Sequence, residues 1–125
     1  MNKNGFTLIE VLVGLVILAV GFLALASLQI TSTRGNSFSN HLMQGSYVAQ
    51  DRLESLKNLS YGTLQSQAGK SINDGTIIIS GITFSRLYGV TLVNDPHGNY
   101  LKIDYTVSWN DGVNHDIIFS TIRAQ

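Results

Sequence analysis

The chain has no cysteine and one proline, and only 13% of its 125 residues are charged. Without cysteine, disulfide frameworks and thiolate metal sites are excluded, and the composition carries no sign of the redox compartment. The one proline, Pro96, lies in Asn94-Asp-Pro-His-Gly-Asn99, which reads as a loop by composition. The eight basic and eight acidic residues balance and are scattered. There is thus no basic patch for nucleic acid and no acidic tail. No nucleophile–base–acid set, phosphate loop or carboxylate pair stands out, so neither an enzyme nor a cofactor is expected. His41, His97 and His115 are spaced far apart, in different predicted elements, and are expected as surface or half-buried residues rather than metal ligands. Asp95 with Asn99, or Asp111, could supply oxygen ligands to calcium, but too few acids cluster for a hard-cation site, and Asp95-Pro96-His97-Gly98 is most simply a turn.

Charge is missing altogether from residues 11–33. The apolar run over 11–30 is about 20 residues, or ~30 Å of helix, enough to cross a bilayer core. It is too long for the ~7–15-residue apolar part of an ordinary cleaved signal, and it continues past the small-x-small triplet Ala24-Leu25-Ala26. A short leader, residues 1–5 with Lys3, precedes it, and one acid, Glu10, stands at its head. An acid near a helix N-terminus is favoured by the helix dipole. At the centre of a span it costs up to ~3 kcal/mol. Gly14 and Gly21 fall inside the run and suit close helix–helix packing. They also lower helix propensity by ~1 kcal/mol each, which could let the span stretch. Lys3 and the initiator amine on one side, and Arg34 on the other, do not decide orientation by the positive-inside rule.

The stretch Gly5-Phe6-Thr7-Leu8-Ile9-Glu10, with its short polar leader and charge-free helix, resembles the class III signal of type IV prepilins and type II secretion pseudopilins. The resemblance implies a leader facing the cytoplasm, cut between Gly5 and Phe6 by a prepilin peptidase that also N-methylates Phe6. It implies that the span is kept as the stem of a filament subunit, stored in the bacterial inner membrane with a periplasmic head. Helix–helix packing with other pilins or pseudopilins and delivery to an assembly platform are implied too. Glu10 is then expected to pair with the new Phe6 amine of a neighbouring subunit. Many major pilins of this kind carry a proline in the second half of the span and a C-terminal cysteine pair. This chain has no proline before Pro96 and no cysteine, a departure towards a minor pilin or pseudopilin.

Beyond the span, Phe38, Leu42, Ala49, Leu53 and Leu56 recur at spacings of one helix face, with Tyr47, Gln50, Glu54 and Lys57 off it. One long helix over about residues 6–59 is predicted, its assembly half over 6–30 and an amphipathic half over 31–59, with Gly35-Asn36 softening the join. Val48-Ala-Gln-Asp-Arg-Leu-Glu-Ser-Leu56 resembles the matching helix of PilV-type minor pilins and of I-type pseudopilins. Residues 60–75 read as a polar connecting loop with little regular structure.

Residues 76–125 read as a head of three or four antiparallel strands. Residues 76–80 form a short strand between Gly75 and Gly81, and 83–93 a second with Phe84, Tyr88, Val90 and Leu92 on one face. Leu101, Ile103, Tyr105, Val107 and Trp109 alternate with polar residues in the cleanest strand, and Tyr88, Tyr100, Tyr105 and Trp109 are assigned to sheet packing. Asn110-Asp111-Gly112 is a hairpin turn. The return over 113–122 loses its alternation at Ile117-Ile118, which suggests a bulge. The fold class is α+β, a long helix on a small antiparallel sheet. The function that follows is a PilV-like minor pilin active in assembly or priming, or else an I-type pseudopilin. A membrane-anchored enzyme or receptor module is the reading from another class.

Overall fold

The computed structural model describes Gly5 and residues 7–125, and its fold is α+β. Helix α1 runs over Leu8–Lys57, helix α2 over Tyr61–Gln65, and strands β1 to β4 over Ser71–Ile79, Ile82–Val93, Tyr100–Asn110 and Asn114–Ala124. The chain divides into two compact units, Met1–Ser39 and Asn40–Gln125, with α1 running through both.

In the first unit α1 begins at a cap. The Glu10 N–H donates to the Thr7 hydroxyl (3.3 Å) and to the Thr7 carbonyl (3.1 Å), which serves a first-turn donor that has no partner within the helix. Every described residue from Gly5 to Asn40 is exposed. Hydroxyl side chains at the end of the apolar run and just beyond it turn back on the helix. Ser27, Thr31 and Thr33 donate to the carbonyls of Leu23, Ser27 and Gln29 at 3.0, 3.1 and 2.9 Å.

In the second unit α1 lays one face on the sheet. His41, Gly45, Val48, Ala49, Leu53 and Leu56 are buried, at the three- and four-residue spacings of one stripe. Tyr47, Gln50, Glu54 and Lys57 are exposed, as the periodicity predicts. The stripe differs at its start: Leu42 is half-buried, Phe38 is 39% exposed, and His41 and Gly45 take the inner positions. A Cβ on Gly45 would lie 3.3 Å from Ile117 Cδ1 and 3.5 Å from the Phe84 and Trp109 rings, so only a hydrogen fits without adjustment.

The sheet is a meander, β1-β2-β3-β4, antiparallel throughout. Alternation sends Leu101, Ile103, Tyr105, Val107 and Trp109 of β3 into the core opposite the helix, with Phe84, Tyr88 and Val90 beside them from β2. Phe84 and Trp109 meet at 5.7 Å between ring centroids, and Tyr88 stacks on Tyr105 at 6.3 Å.

Two expectations are corrected. The loop predicted over 60–75 is shorter than its polar composition suggests. Ser60 caps α2 by accepting from the Thr63 N–H (3.2 Å), and Leu64 anchors that helix with no exposed surface. Strand β1 then starts at Ser71, because Ile72 alone carries the inward position opposite Tyr88. The bulge belongs to β1, not to β4. Register shifts between Asn73 and Thr76, where Gly75 takes a φ of +81°, whereas β4 pairs with β3 without a break from Asn114 to Ala124. The lost alternation at Ile117-Ile118 arises because Ile118 points to the outer face of an intact strand, 60% exposed.

Candidate functional site

The residues predicted to act lie at the start of α1. Gly5 is exposed and non-helical, and Phe6 lies outside the described residues, so the partner atom expected for Glu10 does too. Glu10 is exposed in the first helical turn, where the positive end of the dipole favours a carboxylate. Thr7 and Glu10 stand in capping-box spacing, a signal readable from the sequence that assigns Thr7 its role at the helix start. The helix that follows is long and apolar enough to cross a membrane, with an 18-residue stretch of mean hydropathy 2.8, none of it buried. No atom lies within 4 Å of a Cβ built on Gly14, Gly21 or Gly35, so the backbone there is open to close approach by another helix.

Two polar clusters tie the second unit together. Arg52 of α1 donates to both oxygens of Asp74 at the β1 bulge (2.8 and 2.5 Å), and the Tyr105 hydroxyl donates to Asp74 Oδ2 at 2.6 Å. Arg86 Nη2 donates to the Asp74 carbonyl at 2.7 Å. The Arg52 hydrogen bond holds the Asp74 carboxyl below its ordinary range against the opposing effect of burial. Burial, with Asp74 beside it, pushes the Tyr105 hydroxyl up. A fork-on-fork arginine–carboxylate pair of this kind fixes orientation as well as adding energy. It spans 22 residues between Arg52 and Asp74, and no local pattern in the sequence announces it.

The second cluster overturns the expected separation of the histidines. His41 Nδ1 lies 3.1 Å from Asp111 Oδ2, and His115 Nε2 lies 3.0 Å from Asp111 Oδ1. The hairpin turn thus gathers His41 and His115 on one carboxylate, and His115 also stacks on Trp109 at 5.3 Å. The hydrogen bond with His41 is the main cause holding the Asp111 carboxyl below its ordinary range. His97 stays apart and exposed, its N–H donating to Asp95 Oδ1 at 2.8 Å within the 94–99 turn. Among the described residues no group of three or more His, Cys, Asp or Glu could hold a metal ion. Both clusters join α1 to the sheet or its turns, which is structural work.

Residues 1–26 match the family model of the prokaryotic N-terminal methylation motif. No curated protein and no solved structure matches the chain. The motif is that of a class III signal peptide and indicates a prepilin of the type IV pilin or pseudopilin kind, a class whose members are structural rather than enzymatic. It fits a membrane-anchored subunit whose anchor is the apolar helix.

Proposed function

We propose that the chain is a minor structural subunit of a type IV pilus, of the PilV type, active in pilus assembly or priming. It is made as an inner-membrane prepilin with its head in the periplasm. A prepilin peptidase removes residues 1–5 and methylates the new amine of Phe6. The observation that carries this reading is the methylation motif over residues 1–26. The absence of any proline before Pro96 favours a minor over a major subunit.

Glu10 then acts in register. In a helix-packed filament the Phe6 amine of one subunit sits in a low-dielectric setting, and the Glu10 carboxylate of a neighbour neutralises it. Two unit charges ~4 Å apart attract by ~4 kcal/mol at an effective dielectric of 20. Desolvation offsets much of that, so the larger effect is selectivity for the one axial offset at which the pair forms. Glu10→Ala is expected to insert and be cleaved normally but to be depleted from sheared filaments, measured against the parent by immunoblot. Normal incorporation of the variant would remove Glu10 from this role.

Mass spectrometry of the membrane-extracted chain tests the reading as a whole. A mature form starting at N-methyl-Phe6 is expected, and an intact leader overturns it. Co-purification separates the two machines. Recovery with pilins supports the pilus, and recovery with secretion components assigns the chain as an I-type pseudopilin instead.

A further inference from the structure

The two edges of the sheet are unlike each other, and they match. Edge strands ordinarily carry charge, proline or bulges against pairing with another chain. Strand β4 has neither a proline nor a register break over Asn114–Ala124, its charges Asp116 and Arg123 flank an uncharged stretch over 117–122, and it exposes Ile118 (60%) on its outer face between half-buried Ile117 and Phe119. Strand β1 is bulged at Asp74-Gly75, but beyond the bulge it offers three isoleucines in a row, with Ile78 70% exposed between Ile77 and Ile79.

The order of the strands, with α1 as a marker of direction within the head, sets how two copies can meet. Within the second unit α1 runs alongside β4 in the same sense. His41 sits by Asp111 and His115 at the turn, Gly45 faces Ile117, and Leu53, Glu54 and Lys57 border a cleft with Ser120 and Thr121. Antiparallel pairing of β4 with the β4 of a copy would set the α1 segments of the two heads in opposite senses and close on itself as a two-fold contact. Copies with α1 in the same sense instead bring β4 of one beside β1 of the next. Three antiparallel steps separate β1 from β4, so those two edges run in opposite directions and pair antiparallel.

We propose that the head binds a second copy of this chain edge to edge, β4 on β1, with Ile118 opposite Ile78 of the copy. This rests on the reading of the chain as a membrane-anchored filament subunit. In that register Ile117 meets Ile79, Phe119 meets Ile77, and Ser120 meets Thr76, each pair on a common face of the joined sheet. The backbone agrees. Carrying the alternation of hydrogen-bonded residues through the three registers leaves outward N–H and C=O groups on odd residues of both edges or on even residues of both. Either outcome suits pairs such as 117 with 79 and 118 with 78. Within one sheet Ile77 is level with Phe84, Trp109 and His115, so placing it opposite Phe119 displaces the copy by four residues (119 − 115), ~13 Å along the strand. The contact is head-to-tail and does not close on itself, as a filament requires. The ladder is short because the bulge ends it, so it acts on subunits already held side by side by their helices.

The absence of cysteine makes the test direct. Full-length copies carrying Ile78→Cys and full-length copies carrying Ile118→Cys are made together, and their membranes are mildly oxidised. Facing residues of an antiparallel pair lie within disulfide reach. Joined dimers are expected at least about tenfold above those from Ile78→Cys with Ile122→Cys, which is out of register. The Thr76→Cys and Ser120→Cys copies, next in the same ladder, should join as well. One chain bearing both Ile78→Cys and Ile118→Cys should give a ladder of multimers. Absence of joined species in both in-register pairs, equal joining out of register, or dominant Ile118–Ile118 dimers overturns the proposal. The N-terminal mass of the same material separates the two readings. Processed but unjoined chains sink the edge contact alone, and an uncut leader sinks the subunit reading.

Discussion

Gly45 shows how much one hydrogen atom can decide. Its place between Ile117, Phe84 and Trp109 is tighter than a methyl group accepts without a shift. Gly45→Ala gains helix propensity but must push Ile117 aside, so its net effect is expected to stay within about 1 kcal/mol. Gly45→Leu has no such room and is expected to cost about 3 kcal/mol or prevent folding, read by thermal melting of the detergent-held chain. Asp74 decides a different matter. Its folded-state pKa lies below the ordinary value, so its stabilisation is complete above the ordinary Asp range and lost as pH falls through the folded value. Arg52 stays charged throughout. Melting temperature should therefore fall more steeply in the parent than in Asp74→Asn below about pH 4, the variant having lost that share of stability already at neutral pH. Equal acid slopes would remove Asp74 from this role.

At the scale of elements, the amphipathic half of α1 and strand β3 do the folding work, and both were legible. Ala49, Leu53 and Leu56, and the alternation from Leu101 to Trp109, are periodic signals that burial alone explains. Trp109→Ala should cost about 3–5 kcal/mol, because its ring packs on Phe84 and is 4% exposed, and chemical unfolding would show it as a lower midpoint. What the sequence hid is equally physical. Helix α2 depends on one buried leucine, Leu64, in a polar stretch, and the first residues of β1 depend on Ile72. Two inward side chains make no period. Nor does a local pattern reveal that His41 meets Asp111 across 70 residues, or that an apparent slip in β4 is an outward isoleucine. For the candidate site the reverse holds. Its motif is contiguous in the sequence, while Phe6, whose amine is the partner proposed for Glu10, lies outside the described residues.

The molecule as a whole joins two solvent preferences in one helix. The unit Met1–Ser39 keeps its described apolar residues on the surface, whereas Asn40–Gln125 buries a continuous core. The full chain should remain in the membrane pellet after an alkaline wash, and residues 40–125 made alone should be soluble and melt cooperatively. Recovery of the full chain in the wash supernatant would contradict the anchoring role.

The bulge at Asp74-Gly75 has a bearing on aggregation. A flat β1 edge with isoleucines would template extended chains without limit, the hazard that leads to amyloid. With Gly75 at a φ of +81° and Asp74 clamped by Arg52, the flat stretch stops after a few residues. Stickiness is thus rationed: enough edge to recognise a strand held alongside, too little to recruit one from solution. Straightening it, by deleting Gly75 for instance, is expected to raise light scattering and thioflavin binding in the isolated head.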